Sequence, residues 1–177
     1  MSKYNIKEFL EDKLKCYKST FKDTSYDDTN DRYLCSDEVS SDVYDFDKYV
    51  EDNFDKSKLP SSPDAIYIGK KQLYFIEFKY QKASDIDSKE IKSKFEKGTN
   101  ILKEMLKEFI PKDNKFIFCV VFENQNRPKH FDFRHFQSSS IKFGLDESNK
   151  KLQNFYDHII TEDVNFYKDN FNELTCR

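Results

Sequence analysis

Two carboxylates and an amine near the middle of the chain have the types and spacing that metal-assisted chemistry needs. Asp64 follows Pro63, and after twelve further residues come Glu77, Phe78 and Lys79. Side chains alternate across a β-strand, so Glu77 and Lys79 face the same side if this segment is extended. Carboxylate oxygens suit Mg²⁺ or Mn²⁺, which keep open positions for phosphate oxygens. With an amine to orient a water or stabilise developing negative charge, the constellation fits phosphodiester hydrolysis.

The segments around these residues predict a β-hairpin. Two β-rich runs, residues 65–68 and 73–80, flank a short turn that contains a glycine. A symmetric turn midway between the runs places Asp64 opposite Glu77. Directly opposed Cβ atoms lie about 4.5–5.5 Å apart, close enough for two carboxylates to share one divalent cation. The same register pairs Ile66 with Phe75 and Ile68 with Leu73.

Apolar spacing elsewhere predicts the elements that position this hairpin. Residues 5–17 and 87–109 show the three- and four-residue rhythm of amphipathic helices, the second opened by Asp87 and Glu90 as a capping box. Residues 115–123 read as a buried strand, because the run is short, aromatic and β-branched. The hairpin is apolar on both faces, which predicts an interior position in an α/β fold whose mixed sheet has helices on both sides.

The rest of the chain carries weaker patterns. We expect one domain over residues 1–177, with a core at about 5–124 and a C-terminal helical extension at about 150–172. The less regular segments are predicted as loop at 19–31 and 124–140, a short helix at 47–54, a short strand at 141–143 and a helix at 153–171.

The segments Pro63-Asp64 and Glu77-Phe78-Lys79 resemble the signature of the PD-(D/E)XK nuclease superfamily. The order of predicted elements also looks like that family's restriction-endonuclease-like core, in which a helix, a three-strand meander, a helix and a strand form a mixed sheet flanked by helices. The resemblance covers roughly residues 5–124 in topology but only about five residues in strict motif. It implies a magnesium-dependent endonuclease that cuts DNA or, as a weaker expectation, RNA.

The resemblance also implies individual roles. Asp64 and Glu77 would bind the metal together with the main-chain carbonyl of Phe78, and Lys79 would be the catalytic amine. Gln81, two residues further along the same face, would position the scissile phosphate. Members often add a glutamate from the first core helix, and here four residues fit that role without a choice between them: Glu8, Glu11, Glu38 and Glu51.

Two alternatives stand beside this interpretation. A glutamate and a lysine on one strand face are usually a solvated pair, although a charged pair inside an apolar strand costs desolvation and rarely lacks a partner or ion. The second alternative is a catalytically inactive domain of the same fold that serves as a binding module, such as an immunity or regulatory protein. The complete set of Asp64, Glu77 and Lys79 favours catalysis over that alternative.

Basic residues suggest where nucleic acid would bind. The first turns of the helix at 87–109 carry four lysines that could meet a phosphate backbone, or equally form a solvated face. A second cluster of basic and aromatic residues at 127–136 fits base stacking or a loop pinned to the core. The four lysines are Lys89, Lys92, Lys94 and Lys97.

Composition narrows the remaining options. The chain has 177 residues and a formal net charge of −3, so any nucleic-acid surface must be local. With only 3 Gly, a phosphate-binding glycine loop is excluded. We interpret the 4 Cys as reduced thiols and, since no apolar run spans a membrane and no secretory signal is present, expect a cytoplasmic protein.

Expected partners are nucleic acid and an inhibitor or regulatory protein. The oligomeric state is open, with a dimer needed only for symmetric double-strand cutting.

Overall fold

The computed structural model describes residues 5–39, 41–109, 114–123, 141–171 and 176. In those residues the helices are α1 (Ile6–Leu14), α2 (Phe21–Thr24), α3 (Phe46–Asn53), α4 (Ser88–Met105), α5 (Leu145–Lys151) and α6 (Val164–Asn170). The strands are β1 (Lys18–Ser19), β2 (Tyr26–Asp27), β3 (Arg32–Tyr33), β4 (Val43–Asp45), β5 (Ala65–Ile68), β6 (Gln72–Lys79), β7 (Lys115–Phe122) and β8 (His158–Asp163). Short 3₁₀ helices occupy Lys15–Tyr17 and Lys56–Lys58.

A six-stranded mixed sheet runs through the protein in the order β1-β4-β5-β6-β7-β8. The neighbours β1, β4, β5 and β6 pair antiparallel, whereas β6 pairs parallel with β7 and β7 pairs parallel with β8. The crossover from β6 to the parallel strand β7 is made by α4, the longest described helix. The predicted α/β class and the mixed sheet flanked by helices are therefore confirmed.

The predicted hairpin is confirmed together with its register. β5 and β6 pair antiparallel, with Ile66 opposite Phe75 and Ile68 opposite Leu73. β6 also pairs with β7 on its other side, so it lies in the interior of the sheet and is buried over most of its length. On the other side of β5, its pairing with β4 continues one residue further, since the Asp64 carbonyl accepts a 3.0 Å hydrogen bond from the Phe46 N–H.

Each face of the sheet has its own apolar layer. One layer combines Leu73 and Phe75 of β6 with apolar residues of α1, α3, α4 and α5. The other combines Tyr74 and Ile76 of β6 with residues of α2 and α6. Because Glu77 follows the odd-numbered residues of β6, it shares the face that α4 covers. The Glu77 side chain thus lies at the end of this apolar layer, beneath α4.

The contact between α4 and the segment before β5 is unusually close. A Cβ atom on Gly98 would lie 2.4 Å from Cδ of Pro63 and 3.3 Å from the Phe75 ring. Only glycine allows the helix to approach that near, because any larger side chain would collide with the proline ring. This contact brings α4 against the segment that carries Asp64.

The C-terminal part differs from its prediction. The helix expected over 153–171 is wrong for its first half, because His158–Asp163 forms β8 and only Val164–Asn170 is helical. The consecutive residues Ile159, Ile160 and Thr161 are β-branched and pair along β7, so sheet pairing outweighs the helical spacing. The Asp163 carboxylate then accepts from the Asn165 and Phe166 N–H groups and starts α6. The supposed helical extension thus contributes a strand to the same sheet.

Two local predictions also need correction. The strand expected at 141–143 is wrong, since Phe143 and Gly144 have φ of 63° and 64°, a left-handed conformation that ends a strand and precedes α5. The loop expected at 19–31 contains α2 and β2, and β2 pairs antiparallel with β3, which follows the loop. The helices near residues 5–17, 47–54 and 87–109 and the strand at 115–123 are confirmed as α1, α3, α4 and β7. The loop expected at 124–140 and the basic cluster at 127–136 lie outside the described residues.

The cysteines are not all reduced. Cys35 and Cys176 form a disulfide across a sequence separation of 141 residues. The reduced state predicted for them is wrong because cysteine spacing along the chain does not reveal which distant residues meet in the fold. Cys119 is a free, buried thiol in β7, as expected, and Cys16 is free and exposed.

None of the helices in the described ranges combines the length and the apolarity needed to cross a membrane.

Candidate active site

Asp64 is held at the mouth of the β5–β6 hairpin by the backbone. Its Oδ2 atom accepts a 2.6 Å hydrogen bond from the Phe78 N–H. Continuing the observed register by one step places Asp64 opposite Glu77, as the sequence predicted. The opposite carboxylate oxygen, Oδ1, lies 3.4 Å from Nζ of Lys94. The main chain of β6 therefore fixes one oxygen of Asp64 and leaves the other for a cation.

Glu77 is fully buried in the middle strand of the sheet, with a side-chain exposure of 0%. Its Oε1 atom lies 3.1 Å from Nζ of Lys79 and 2.8 Å from Nζ of Lys94. Both ammoniums form ion pairs with Oε1, whereas the buried Oε2 atom has no hydrogen-bond partner in the described part of the chain. A buried carboxylate in this condition is costly unless a cation compensates it.

The two carboxylates converge on one positive charge. Nζ of Lys94 reaches both Asp64 and Glu77, so a single cation placed near that atom would contact both side chains. Lys94 comes from the second turn of α4, which lies over this face of the sheet. Lys79 lies beside them, and its Nζ is also 2.6 Å from Oε1 of Glu90. Glu90, the predicted capping partner of Asp87, therefore turns to the site.

The pKa values follow from burial and charge. Burial and the nearby charge of Asp64 raise the pKa of Glu77 to about 8, despite both lysines. Burial also raises the pKa of Asp64, against the opposing effect of Lys94. Burial alone would lower the pKa of Lys79 and Lys94, but the neighbouring carboxylates outweigh it and raise both. Both amines are thus cations over the physiological range. The raised pKa values of the two carboxylates mean that their negative charge is unfavourable there without additional positive charge nearby.

A cleft of about 500 Å³ opens at this cluster. One wall carries Asp64, Lys79, Gln81 and Glu90, and the other is formed by residues 24–30. The second wall includes two aspartates, Asp27 and Asp28, so the mouth of the cleft is more acidic than basic. The cleft gives an ion or a small anionic group direct access to Asp64, Lys79 and Gln81, whereas Glu77 is buried behind them.

The lysines predicted to contact nucleic acid do not act as a group. Lys89 is exposed at the start of α4, whereas Lys92 is half-buried with its Nζ against Gly144. Lys94 points into the site and pairs with both carboxylates. Of the four predicted lysines, Lys89 and Lys97 are thus the ones whose side chains are exposed on α4.

None of the four glutamates that could supply a third ligand lines the cleft. Glu11 pairs with Lys18 at 3.9 Å, Glu38 pairs with Lys22, and Glu8 and Glu51 are exposed. Asp47 of α3 is a further acid whose charge acts on both Asp64 and Lys94. Asp47 in turn accepts a hydrogen bond from the Ser62 hydroxyl.

The donor set fits a hard divalent cation that keeps water ligands. Within the described ranges, no three His, Cys, Asp or Glu side chains are grouped as a metal site, so a protein-only cage is not formed. Two carboxylates plus the Phe78 carbonyl would leave several positions to water or phosphate, which is the usual arrangement for Mg²⁺. The buried Oε2 atom of Glu77, which has no hydrogen-bond partner among the described residues, is the observation that favours a cation there.

Three side chains of this cluster were not predicted to lie there: Lys94 was predicted to contact nucleic acid, Glu90 to cap α4, and Asp47 was given no role. Lys94 and Glu90 come from α4 at a four-residue spacing, so both project from the same side of the helix. That spacing was visible in the sequence, but which sheet residues it would face was not. Asp47 gave no signal, because its approach depends on how α3 packs before β5.

The chain was compared with protein-family models, curated proteins and solved structures, and none of them matches it.

Proposed function

We propose that the protein is a metal-dependent nuclease of the PD-(D/E)XK type that hydrolyses phosphodiester bonds of DNA, with RNA as the less favoured substrate. The observation that carries the proposal is the convergence of the Asp64 and Glu77 carboxylates on one cation position beside Lys79. The order α1, then β4-β5-β6, then α4, then β7 also supports a restriction-endonuclease-like core.

In this proposal Asp64, Glu77 and the Phe78 carbonyl hold Mg²⁺ or Mn²⁺. The metal, when bound, lowers the pKa of a water and polarises the phosphate. Lys79 stabilises the negative charge that develops on the phosphate, because its raised pKa keeps it protonated. Glu90 orients that ammonium through its 2.6 Å contact. Gln81, exposed on the same cleft wall, positions the scissile phosphate.

A second candidate function is a binding module without turnover. Lys94 occupies the position between the two carboxylates, and the opposite cleft wall carries Asp27 and Asp28. A permanent lysine plug would exclude metal, and an acidic cleft would suit a basic protein partner better than a phosphate backbone. Both candidate functions are compatible with an inhibitory or regulatory protein partner. Both are also compatible with a monomer or a dimer.

The disulfide bears on where such an enzyme would act. Disulfides persist in oxidising compartments and are rare in a reducing cytoplasm. The Cys35–Cys176 bond therefore favours an oxidising location over the cytoplasmic one that the sequence predicted. A nuclease that matures away from its own nucleic acid would also need less restraint.

The proposal is tested by incubating plasmid DNA and total RNA with wild-type protein, Lys79→Ala and Lys70→Ala in Mg²⁺, Mn²⁺ or EDTA. Lys70 is an exposed lysine in the turn between β5 and β6, far along the hairpin from the site. We expect cutting by wild type and Lys70→Ala with metal, none in EDTA, and a loss of at least about 100-fold in Lys79→Ala. Absence of cutting by folded wild type in both metals would favour the binding module.

A further inference from the structure

Lys94 holds the site together in a way that the sequence motif does not explain. Its side chain is 16% exposed, and its Nζ lies 2.8 Å from Oε1 of Glu77 and 3.4 Å from Oδ1 of Asp64. The other lysine, Lys79, approaches the same Oε1 atom of Glu77. The position between the two carboxylates is thus filled by a side chain that carries a single positive charge.

The two ammoniums, Lys79 and Lys94, do not balance the charge of the cluster when its three carboxylates, Asp64, Glu77 and Glu90, are all ionised. Both ammoniums approach Oε1 of Glu77, while its buried Oε2 atom has no hydrogen-bond partner among the described residues. A divalent cation would bring two charges to the same place and could coordinate the oxygen that the lysines leave unsatisfied.

The surroundings allow Lys94 to leave. Asp64 lines the 500 Å³ cleft, so an ion from solvent can reach its carboxylate. The lysine side chain is long and flexible, and 16% of it is already exposed. On leaving Asp64 and Glu77, the ammonium can therefore move to solvent rather than remain a buried, unpaired cation.

We propose that the Lys94 ammonium is a built-in, displaceable substitute for the divalent cation, which holds Asp64 and Glu77 together in the metal-free protein and is expelled when metal binds. This inference rests on the proposed metal site. Its consequence is competition: the ammonium weakens metal binding at low metal concentration, so the site fills only when the divalent cation is abundant enough to displace it.

The test is Mn²⁺ binding at pH 8 by titration calorimetry to the full chain, comparing wild type with Lys94→Met and Lys107→Met. Methionine keeps the length of the lysine side chain but removes its charge. Lys107, an exposed residue beyond the C-terminal end of α4, is the matched control. We expect Lys94→Met to bind Mn²⁺ at least tenfold more tightly than wild type, and Lys107→Met to bind it as wild type does. A folded Lys94→Met with unchanged or weaker binding would overturn the inference.

A second measurement uses wild-type protein and so does not depend on the variant folding. The protein is treated with an acetylating reagent with and without saturating Mn²⁺, and the acetylation of each lysine is measured by mass spectrometry. We expect acetylation of Lys94 to rise at least threefold with metal because the displaced amine reaches solvent, while that of Lys107 stays constant. Unchanged Lys94 labelling with metal bound would also overturn the inference.

The outcomes separate this inference from the proposed function. If wild type binds Mn²⁺ and Lys94→Met binds it equally, the metal site stands and the competition is refuted. If only Lys94→Met binds Mn²⁺, Lys94 blocks the site permanently, and both its displacement by metal and metal-dependent catalysis by the wild type are refuted. If neither protein binds it, both are refuted.

Discussion

The Asp64 carboxylate accepts a 2.6 Å hydrogen bond from the Phe78 N–H, across the open end of the β5–β6 hairpin. This bond joins the first carboxylate of the site to the residue between Glu77 and Lys79. It gives Asp64 a structural role in addition to any chemical one. The two roles can be separated, because one needs only an acceptor oxygen and the other needs a negative charge.

We predict that Asp64→Asn folds like wild type but loses function. The asparagine oxygen can still accept from the Phe78 N–H, whereas the missing charge removes most of the attraction for a divalent cation. Metal-dependent cleavage should fall by at least about 100-fold. The measurement pairs a cleavage assay with chemical denaturation.

Asp64→Ala is the companion variant. It leaves the Phe78 N–H without its acceptor and should lower the free energy of unfolding by about 1–3 kcal/mol relative to Asp64→Asn. Equal stability of the two variants would contradict the structural role assigned to this hydrogen bond.

The second prediction concerns Glu77 and pH in the absence of metal. Its pKa rises from 4.5 to about 8 on folding, because burial and Asp64 disfavour the charged form. Between these values the unfolded chain has lost the proton that the folded protein still holds. The contribution of Glu77 to stability is therefore complete below about pH 4.5, falls as the pH rises, and is lost above about pH 8.

We accordingly expect Glu77→Gln, which cannot ionise, to be more stable than wild type at pH 8 in EDTA and to lose less stability between pH 5 and pH 8. Thermal melts of both proteins across this range provide the measurement. Adding Mg²⁺ at pH 8 should stabilise wild type but not the variant. Parallel stability curves for the two proteins would show that Glu77 does not titrate between folded and unfolded states as described.

The third prediction concerns the disulfide. Cys35–Cys176 closes most of the chain into a loop, and Cys35 also connects to the cleft wall, since its N–H donates to the Ser25 hydroxyl at 3.0 Å. Cys35→Ser should lower the free energy of unfolding by about 2–4 kcal/mol under oxidising conditions. Urea denaturation with and without dithiothreitol measures this. The reductant should destabilise wild type and leave the variant unchanged, and a wild type indifferent to it would contradict the prediction.

The sequence predicted those parts of the site that lie on neighbouring strands. The positions of Asp64 and Glu77 follow from the hairpin register, and Lys79 shares a face with Glu77 because strand side chains alternate. Such relationships depend on local periodicity and are encoded within about fifteen residues.

What the sequence did not predict depends on packing between distant elements. Lys94 reaches the site because Gly98 lets α4 approach Pro63, and Asp47 because α3 packs before β5. The β8 strand was missed because β-branched residues at helical spacing are ambiguous until the neighbouring strand is known. The Cys35–Cys176 pairing joins two ends of the fold that no local pattern relates.

The most direct test of the metal site is an anomalous difference map from crystals soaked in Mn²⁺ at pH 8. We predict one peak between the carboxylates of Asp64 and Glu77, about 2.0–2.2 Å from an oxygen of each and from the Phe78 carbonyl, with Lys94 moved aside. No peak there at saturating Mn²⁺, with Nζ of Lys94 still between the two carboxylates, would contradict the account.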